Sequence, residues 1–112
     1  MMNATTKANF VDTAELKELV ANEKLVVVDY TASWCGPCKV LAPSIDRLAT
    51  EYQNRATVVK VDIEKNPDNA KEYGIRSIPA VLVFESGELA ERIVGKQPYE
   101  TYSNILETKL RA

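Results

Sequence analysis

The chain has 112 residues and a formal net charge of −2, a length that suits one domain with its own hydrophobic core. Lysine and arginine are scattered among acidic residues and form no basic stripe, so we expect no nucleic-acid partner. Two cysteines and no histidine cannot supply the usual four cysteine and histidine ligands of zinc, so we expect no metal site.

The N-terminal stretch from Met1 to Asn9 is short and polar and lacks the apolar core of a signal peptide. No later run is long enough to span a bilayer, so we expect a cytoplasmic protein without a membrane partner. Cytosolic thiols are kept reduced, which makes a cysteine pair there more useful for catalysis or metal binding than for structure. The alternative is a mature secreted or organellar form that has lost a presequence.

The first half of the chain predicts two helices around one buried strand. Asp12 and Glu15 have the spacing of a capping box and begin a helix that ends near Asn22. The run Leu25–Thr31 predicts a central strand, because its apolar residues are continuous rather than alternating. Helical spacing then continues through Pro43, which predicts a kink there; a helix that begins only after Pro43 is the alternative.

The second half predicts a strand, a short helix, a hairpin and a C-terminal helix. The signals are Thr57–Ile63 for the strand, Asn66-Pro67 and Gly74 for the two ends of the short helix, Ala80–Phe84 and Leu89–Val94 around the turn Ser86-Gly87, and Tyr102, Ile105, Leu106 and Leu110 for the inner face of the last helix. This order predicts an α/β fold in one domain, residues 1–112. Its central mixed sheet combines parallel strands with a C-terminal antiparallel hairpin, and helices flank both faces.

The only two cysteines lie in Trp34-Cys35-Gly36-Pro37-Cys38, at the junction between the buried strand and the long helix. Such a pair can close a disulfide ring or act as an attacking and a resolving sulfur. The N-terminus of a helix favours an anion, so a thiolate at Cys35 would be stabilised, and Cys38, one turn further in, should be more buried. Pro37 suits a first helical turn, and Gly36 lets another chain approach the sulfur. A structural role is less attractive, because so short a loop would contribute only about 2 kcal/mol.

Two charged residues in neighbouring strands could assist the thiols. Asp29 ends an apolar run, and burial would raise its pKa towards neutrality, which suits a general base or acid for Cys38. The alternative is a carboxylate bonded to backbone N–H groups near a strand end. Lys60 could reach Asp29 and tune it, or it could extend its ammonium into water.

Three further positions suggest a surface for a partner. The bond between Ile78 and Pro79 could be cis, which would turn the Ile78 backbone outward towards an extended peptide; an ordinary trans proline that begins a strand is the alternative. Trp34 offers an apolar contact if it is exposed, or else belongs to the core. Gly95 is either a turn residue or a place where a partner's backbone comes close.

Together these residues resemble the thioredoxin family over nearly the whole chain. The matching segments are Val28-Asp29-Tyr30, Trp34 to Lys39, Ala42-Pro43, Lys60-Val61-Asp62, Asn66-Pro67, Tyr73 to Pro79, Gly87 and Val94-Gly95. The chain departs from the family pattern at Thr31, Ala80 and Lys96, and these departures leave its preference among partners open.

The resemblance implies roles for the residues already named. Asp29 would be the family's buried carboxylate and Lys60 its neighbour. Pro79 would be the cis proline that faces the disulfide, and Trp34, Ile78 and Gly95 would line a shallow substrate groove.

The resemblance also implies a protein-disulfide reductase that acts on disulfide-containing target proteins. The thiolate of Cys35 would attack the target disulfide, and Cys38, deprotonated with help from Asp29, would resolve the mixed disulfide. The chain has no glycine-rich nucleotide fingerprint, so we expect no bound cofactor. We expect a monomer that receives electrons from a thioredoxin reductase dependent on NADPH or ferredoxin. The alternatives are a disulfide oxidase or isomerase, and a non-catalytic binding module with the same fold.

Overall fold

The computed structural model describes residues 7–111. The prediction about a signal peptide falls largely on residues 1–6, which lie outside the described residues, as does Ala112. Within the described part, no helix combines the length and the apolar character needed to cross a membrane.

Across residues 7–111, five strands form one mixed sheet that is accompanied by four helices. The strands are β1 (Asn9–Phe10), β2 (Leu25–Thr31), β3 (Thr57–Asp62), β4 (Ala80–Glu85) and β5 (Glu88–Val94); the helices are α1 (Thr13–Asn22), α2 (Gly36–Glu51), α3 (Pro67–Glu72) and α4 (Tyr99–Arg111). The order across the sheet is β1-β3-β2-β4-β5, with β1, β3 and β2 parallel and the β4–β5 hairpin antiparallel. The predicted fold class is therefore confirmed, and β1 is an edge strand that the sequence pattern did not predict.

Strand β2 is the centre of the sheet, as its continuous apolar run predicted. Val27 faces a core built with α2 and α4, whereas Val26 and Val28 face a second core that includes Leu16 of α1. Side chains alternate along a strand, so Asp29 shares the face of Val27 and lies beneath α2 and α4. The sheet thus holds a carboxylate under the helix that begins at the cysteines.

Most predictions about where and how the helices begin are confirmed. Asp12 and Glu15 form the capping box reciprocally, with N–H to carboxylate distances of 2.8 and 3.0 Å. Helix α2 runs unbroken through Pro43, so a helix that begins only after this proline is wrong. The side chain of Asn66 does not cap α3; its Oδ1 accepts instead from the backbone N–H of Thr13 at 3.1 Å and joins two distant segments.

Candidate active site

Cys35 and Cys38 are joined in a disulfide at the N-terminus of α2. Cys35 is the N-cap residue, and the backbone N–H of Cys38 donates to its Sγ at 3.2 Å. This donor is one of the N–H groups that the first turn of a helix leaves without an intrahelical partner. When the ring is reduced, the same N–H and the helix dipole favour a thiolate at Cys35.

Cys38 is the more buried of the two cysteines, as expected, but the difference is small in the oxidised ring. Cys35 is 4% exposed and Cys38 is 2% exposed, so both are buried. The reason is that the closed ring packs against Ala32, Ile63 and Ile78, and Cys35 Sγ lies 3.9 Å from the carbonyl oxygen of Ile78. The dipeptide between the cysteines is exposed, and a Cβ on Gly36 would meet no atom within 4 Å. A partner can therefore approach the ring from this side.

The four positions expected to line a groove differ in exposure and in their contacts with the ring. Trp34 is 63% exposed, which favours a contact surface over a core role. The Ile78–Pro79 peptide bond is cis, as the resemblance implied, and Pro79 is buried beside the ring. The backbone N–H of Gly95 donates to the Pro79 carbonyl oxygen at 2.8 Å, and its φ of +89° is one that favours glycine. Ile78 therefore packs against the ring, Gly95 is hydrogen-bonded to Pro79, and Trp34 directly precedes Cys35 in the chain.

Asp29 is a buried carboxylate without a partner for one of its oxygens. It is 2% exposed, and its Oδ1 accepts no hydrogen bond. The alternative of a carboxylate held by backbone N–H groups therefore does not describe Oδ1. Burial raises the pKa of Asp29 from 3.8 to about 7; the charge of Lys60 lowers it, and that of Asp46 raises it. A carboxyl with this pKa can both accept and release a proton near neutral pH.

The charge of Lys60 lowers the pKa of Asp29, but the ammonium of Lys60 forms its ion pair with a third residue. Lys60 aligns with Asp29 across the β2–β3 pair, but its ammonium lies 3.2 Å from Asp46 Oδ1, in an ion pair whose side chains are 11% and 21% exposed. Lys60 therefore neither extends into water nor pairs directly with Asp29. Asp46 is not among the site residues that the sequence predicted. The spacing of Lys39, Ala42 and Asp46, three and four residues apart, could have indicated that Asp46 shares the side of α2 that faces β3.

A cavity of about 220 Å³ connects these groups. The residues around it are Phe10, Asp29, Thr31, Ala32, Ser33, Cys38, Lys39, Ala42, Lys60 and Asp62. Asp29 and Cys38 open onto the same space, which is roomy enough and polar enough to hold water. The arrangement can therefore carry a proton between the second cysteine and the buried carboxylate.

Comparison with known proteins gives a consistent result. The family model described as Thioredoxin matches residues 5–108. The chain is 41% identical over 102 residues to a thioredoxin of Griffithsia pacifica, covering 91% of this chain and 94% of that protein. It is 40% identical over 110 residues to a thioredoxin of Synechocystis, covering 97% of this chain and 100% of that protein. Among solved structures, a mutant thioredoxin from Halobacterium salinarum superposes with a TM-score of 0.83 at 30% identity, covering 96% and 95% of the two chains.

Proposed function

We propose how the site residues divide the work of catalysis, from the premise that the chain belongs to the thioredoxin family and is a thiol-disulfide oxidoreductase that reduces disulfides in other proteins. The observation that carries the assignment of the nucleophile is the Cys38 N–H directed at Cys35 Sγ. Only Cys35 receives this donor at the helix N-terminus. Cys35 is accordingly the attacking thiolate, and Cys38 is the resolving thiol.

The reaction proceeds by two exchanges. In the first, Cys35 thiolate attacks one sulfur of the target disulfide; a bond forms between Cys35 and that sulfur, and the target's other sulfur leaves as a thiolate. In the second, Cys38 thiol transfers its proton to Asp29, and the resulting thiolate attacks Cys35 Sγ. The second target sulfur leaves and takes the proton from Asp29, and the first target thiolate is protonated by water. Two electrons have then moved from the dithiol to the target; one proton has come from Cys38 and the other from solvent, and the Cys35–Cys38 disulfide remains.

Asp29 is placed to serve as base in the second exchange. It shares the cavity with Cys38, and its pKa of about 7 matches the pH at which the proton must move. Lys60 modulates Asp29 through its charge. Gly36 and Pro37 keep the space above the ring open and stiffen the loop that must close.

Target proteins dock on the surface formed by Trp34, Ile78, Pro79 and Gly95. Exposure of Trp34 supports this, because an indole offers a large apolar contact and an N–H donor. Lys96, which is exposed and adjoins Gly95, adds a positive charge to the rim of this surface.

Residues 1–112 form a single domain, a proposal supported by the one sheet that joins strands from Asn9 to Val94. The oxidised protein must be reduced by a separate thioredoxin reductase that uses NADPH or ferredoxin. A cytoplasmic location fits this cycle, because that compartment maintains thiols in the reduced state.

The roles of the two cysteines can be tested by trapping. Mixed with an oxidised target, Cys38→Ser should accumulate a covalent complex linked through Cys35, because the resolving thiol is missing. Cys35→Ser should trap little or nothing. Equal trapping by the two variants would contradict the assignment, and a wild type that reduced insulin no faster than Cys35→Ser would leave only a binding role.

A further inference from the structure

The ion pair between Lys60 and Asp46 adjoins the strand position of Asp29 and is less deeply buried than that carboxylate. Lys60 faces Asp29 from the adjacent strand, and Asp46 reaches down from α2. Within residues 7–111, the ammonium of Lys60 pairs with Asp46, while Asp29 Oδ1 is left without a donor. A lysine next to a buried, unpartnered carboxylate is thus held by a different acid.

The carboxylate of Asp46 is itself fixed in place. Its Oδ1 accepts from the backbone N–H of Ala8 at 3.0 Å as well as from Lys60 at 3.2 Å. On the other side, the Phe10 ring lies 5.5 Å from the ammonium, within the range of a cation–π contact. Ala8 and Phe10 belong to the N-terminal segment around β1, so this segment and α2 together determine where the charge of Lys60 lies.

We propose that Asp46 is a positioning residue, which holds the Lys60 ammonium away from Asp29 and so keeps Asp29 basic enough to accept the Cys38 proton. The inference rests on the proposed role of Asp29 as the base. Asp46 then has a function in the second exchange, although its side chain touches neither sulfur nor target. Asp46 acts through Lys60. It keeps the ammonium of Lys60 away from Asp29, where this cation would favour the ionised carboxylate.

The charges of Asp46 and Lys60 act on the pKa of Asp29 in the directions that the proposal requires. The charge of Asp46 raises the pKa of Asp29, and the charge of Lys60 lowers it. In Asp46→Asn, the negative charge is lost and the ammonium is free to approach Asp29, and both changes lower the pKa of Asp29. The other titratable or charged groups around Asp29 are Cys38 and Lys39 of α2, Asp62 of β3 and Tyr102 of α4, while β4 places Val81 opposite it.

The direct test is an NMR titration of the Asp29 carboxyl carbon in the oxidised protein, where neither cysteine titrates. We expect the pKa of Asp29 to fall by about one unit or more in Asp46→Asn. It should stay closer to the wild-type value in Asp46→Glu, which keeps the charge. In a Lys60→Met background, Asp46→Asn should have a smaller effect, because the cation through which Asp46 acts is gone.

Asp62→Asn is the matched control. Asp62 also carries a carboxylate at the same cavity, but its Oδ1 accepts from the backbone N–H of Glu64 at 2.8 Å. Its removal should shift the pKa of Asp29 much less. An Asp29 pKa that is unchanged in Asp46→Asn, or that changes equally in Asp62→Asn, would overturn the proposal, even if Asp46→Asn lowered stability.

The kinetic test uses stopped flow with an aromatic disulfide that releases a coloured thiolate in each exchange. At about pH 8, Asp46→Asn should leave the first release unchanged and slow the second several-fold, because a weaker base accepts the Cys38 proton less readily. Asp29→Asn separates the two possible failures. If its second release were as fast as in wild type, the base role of Asp29 would be wrong; if it were slow while Asp46→Asn remained fast, the role of Asp46 alone would be wrong.

Discussion

Replacement of Asp29 by asparagine should stabilise the oxidised protein at neutral and alkaline pH and should lose this effect in acid. Asp29 lies in the core between β2 and the helices α2 and α4, and its Oδ1 has no hydrogen-bond donor. A carboxyl whose pKa is raised by folding binds its proton more tightly in the folded state than in the unfolded state. The free energy of unfolding therefore decreases as the pH rises from 3.8 to about 7. Above that range, the contribution from the protonated Asp29 is fully lost.

The pKa of Asp29 gives the magnitude of this effect. A rise from 3.8 to about 7 corresponds to about 4 kcal/mol, at about 1.36 kcal/mol per unit. Asparagine avoids the buried charge but brings an amide that needs partners of its own, which costs about 1 to 2 kcal/mol. We therefore expect Asp29→Asn to exceed wild type by about 2 to 3 kcal/mol near pH 8.5, and to lose this advantage near pH 4.

Urea denaturation of the oxidised proteins over this pH range measures the difference. Asp62→Asn serves as control, because its half-buried carboxylate is bonded to the backbone and should produce no comparable change with pH. A difference between Asp29→Asn and wild type that stayed constant with pH would refute the reasoning, since the buried charge could then not be its source.

Three further substitutions separate stability from activity. Asp12→Ala removes the capping box with Glu15 and should lower the free energy of unfolding by about 1 kcal/mol in urea, with the rate of insulin reduction unchanged. Trp34→Ala should lower kcat/KM for insulin about five- to ten-fold but change the reaction with a small aromatic disulfide much less; equal losses would argue against a docking role. Gly95→Ala places a Cβ at a φ of +89° and should cost about 1 to 2 kcal/mol, measured by urea denaturation, because the backbone must keep this φ to donate to Pro79.

Features encoded over short distances in the sequence were predictable. The capping box at Asp12, the continuous apolar run of β2 and the turn at Ser86-Gly87 each depend on residues close together in the chain. Ser86 and Gly87 have φ values of 51° and 87°, as a tight two-residue hairpin turn requires. Strand β1 was missed because its two residues, Asn9 and Phe10, show no periodicity and owe their strand geometry to pairing with β3.

Features that depend on distant contacts could not be predicted in the same way. Asp46 looks like an ordinary helix-surface acid, and only the packing of α2 over β3 brings it to Lys60. Asn66 has the spacing of a helix cap, yet its side chain binds Thr13, 53 residues away. The burial of Cys35 follows from its contact with Ile78, which the sequence separates from it by 43 residues. Each of these three cases concerns the partner of a polar or reactive side chain, and in each the element that carries the side chain was predicted.

The proposed mechanism requires that Cys35 be ionised near neutral pH while Cys38 is not. The most direct measurement is the pH dependence of alkylation at each cysteine of the freshly reduced protein, with the sites identified by mass spectrometry and the protein unfolded in urea as reference. We predict that Cys35 in the folded protein reacts at lower pH than in urea and well before Cys38. Cys35 that reacted only in the pH range of the unfolded chain, or after Cys38, would contradict the central claim.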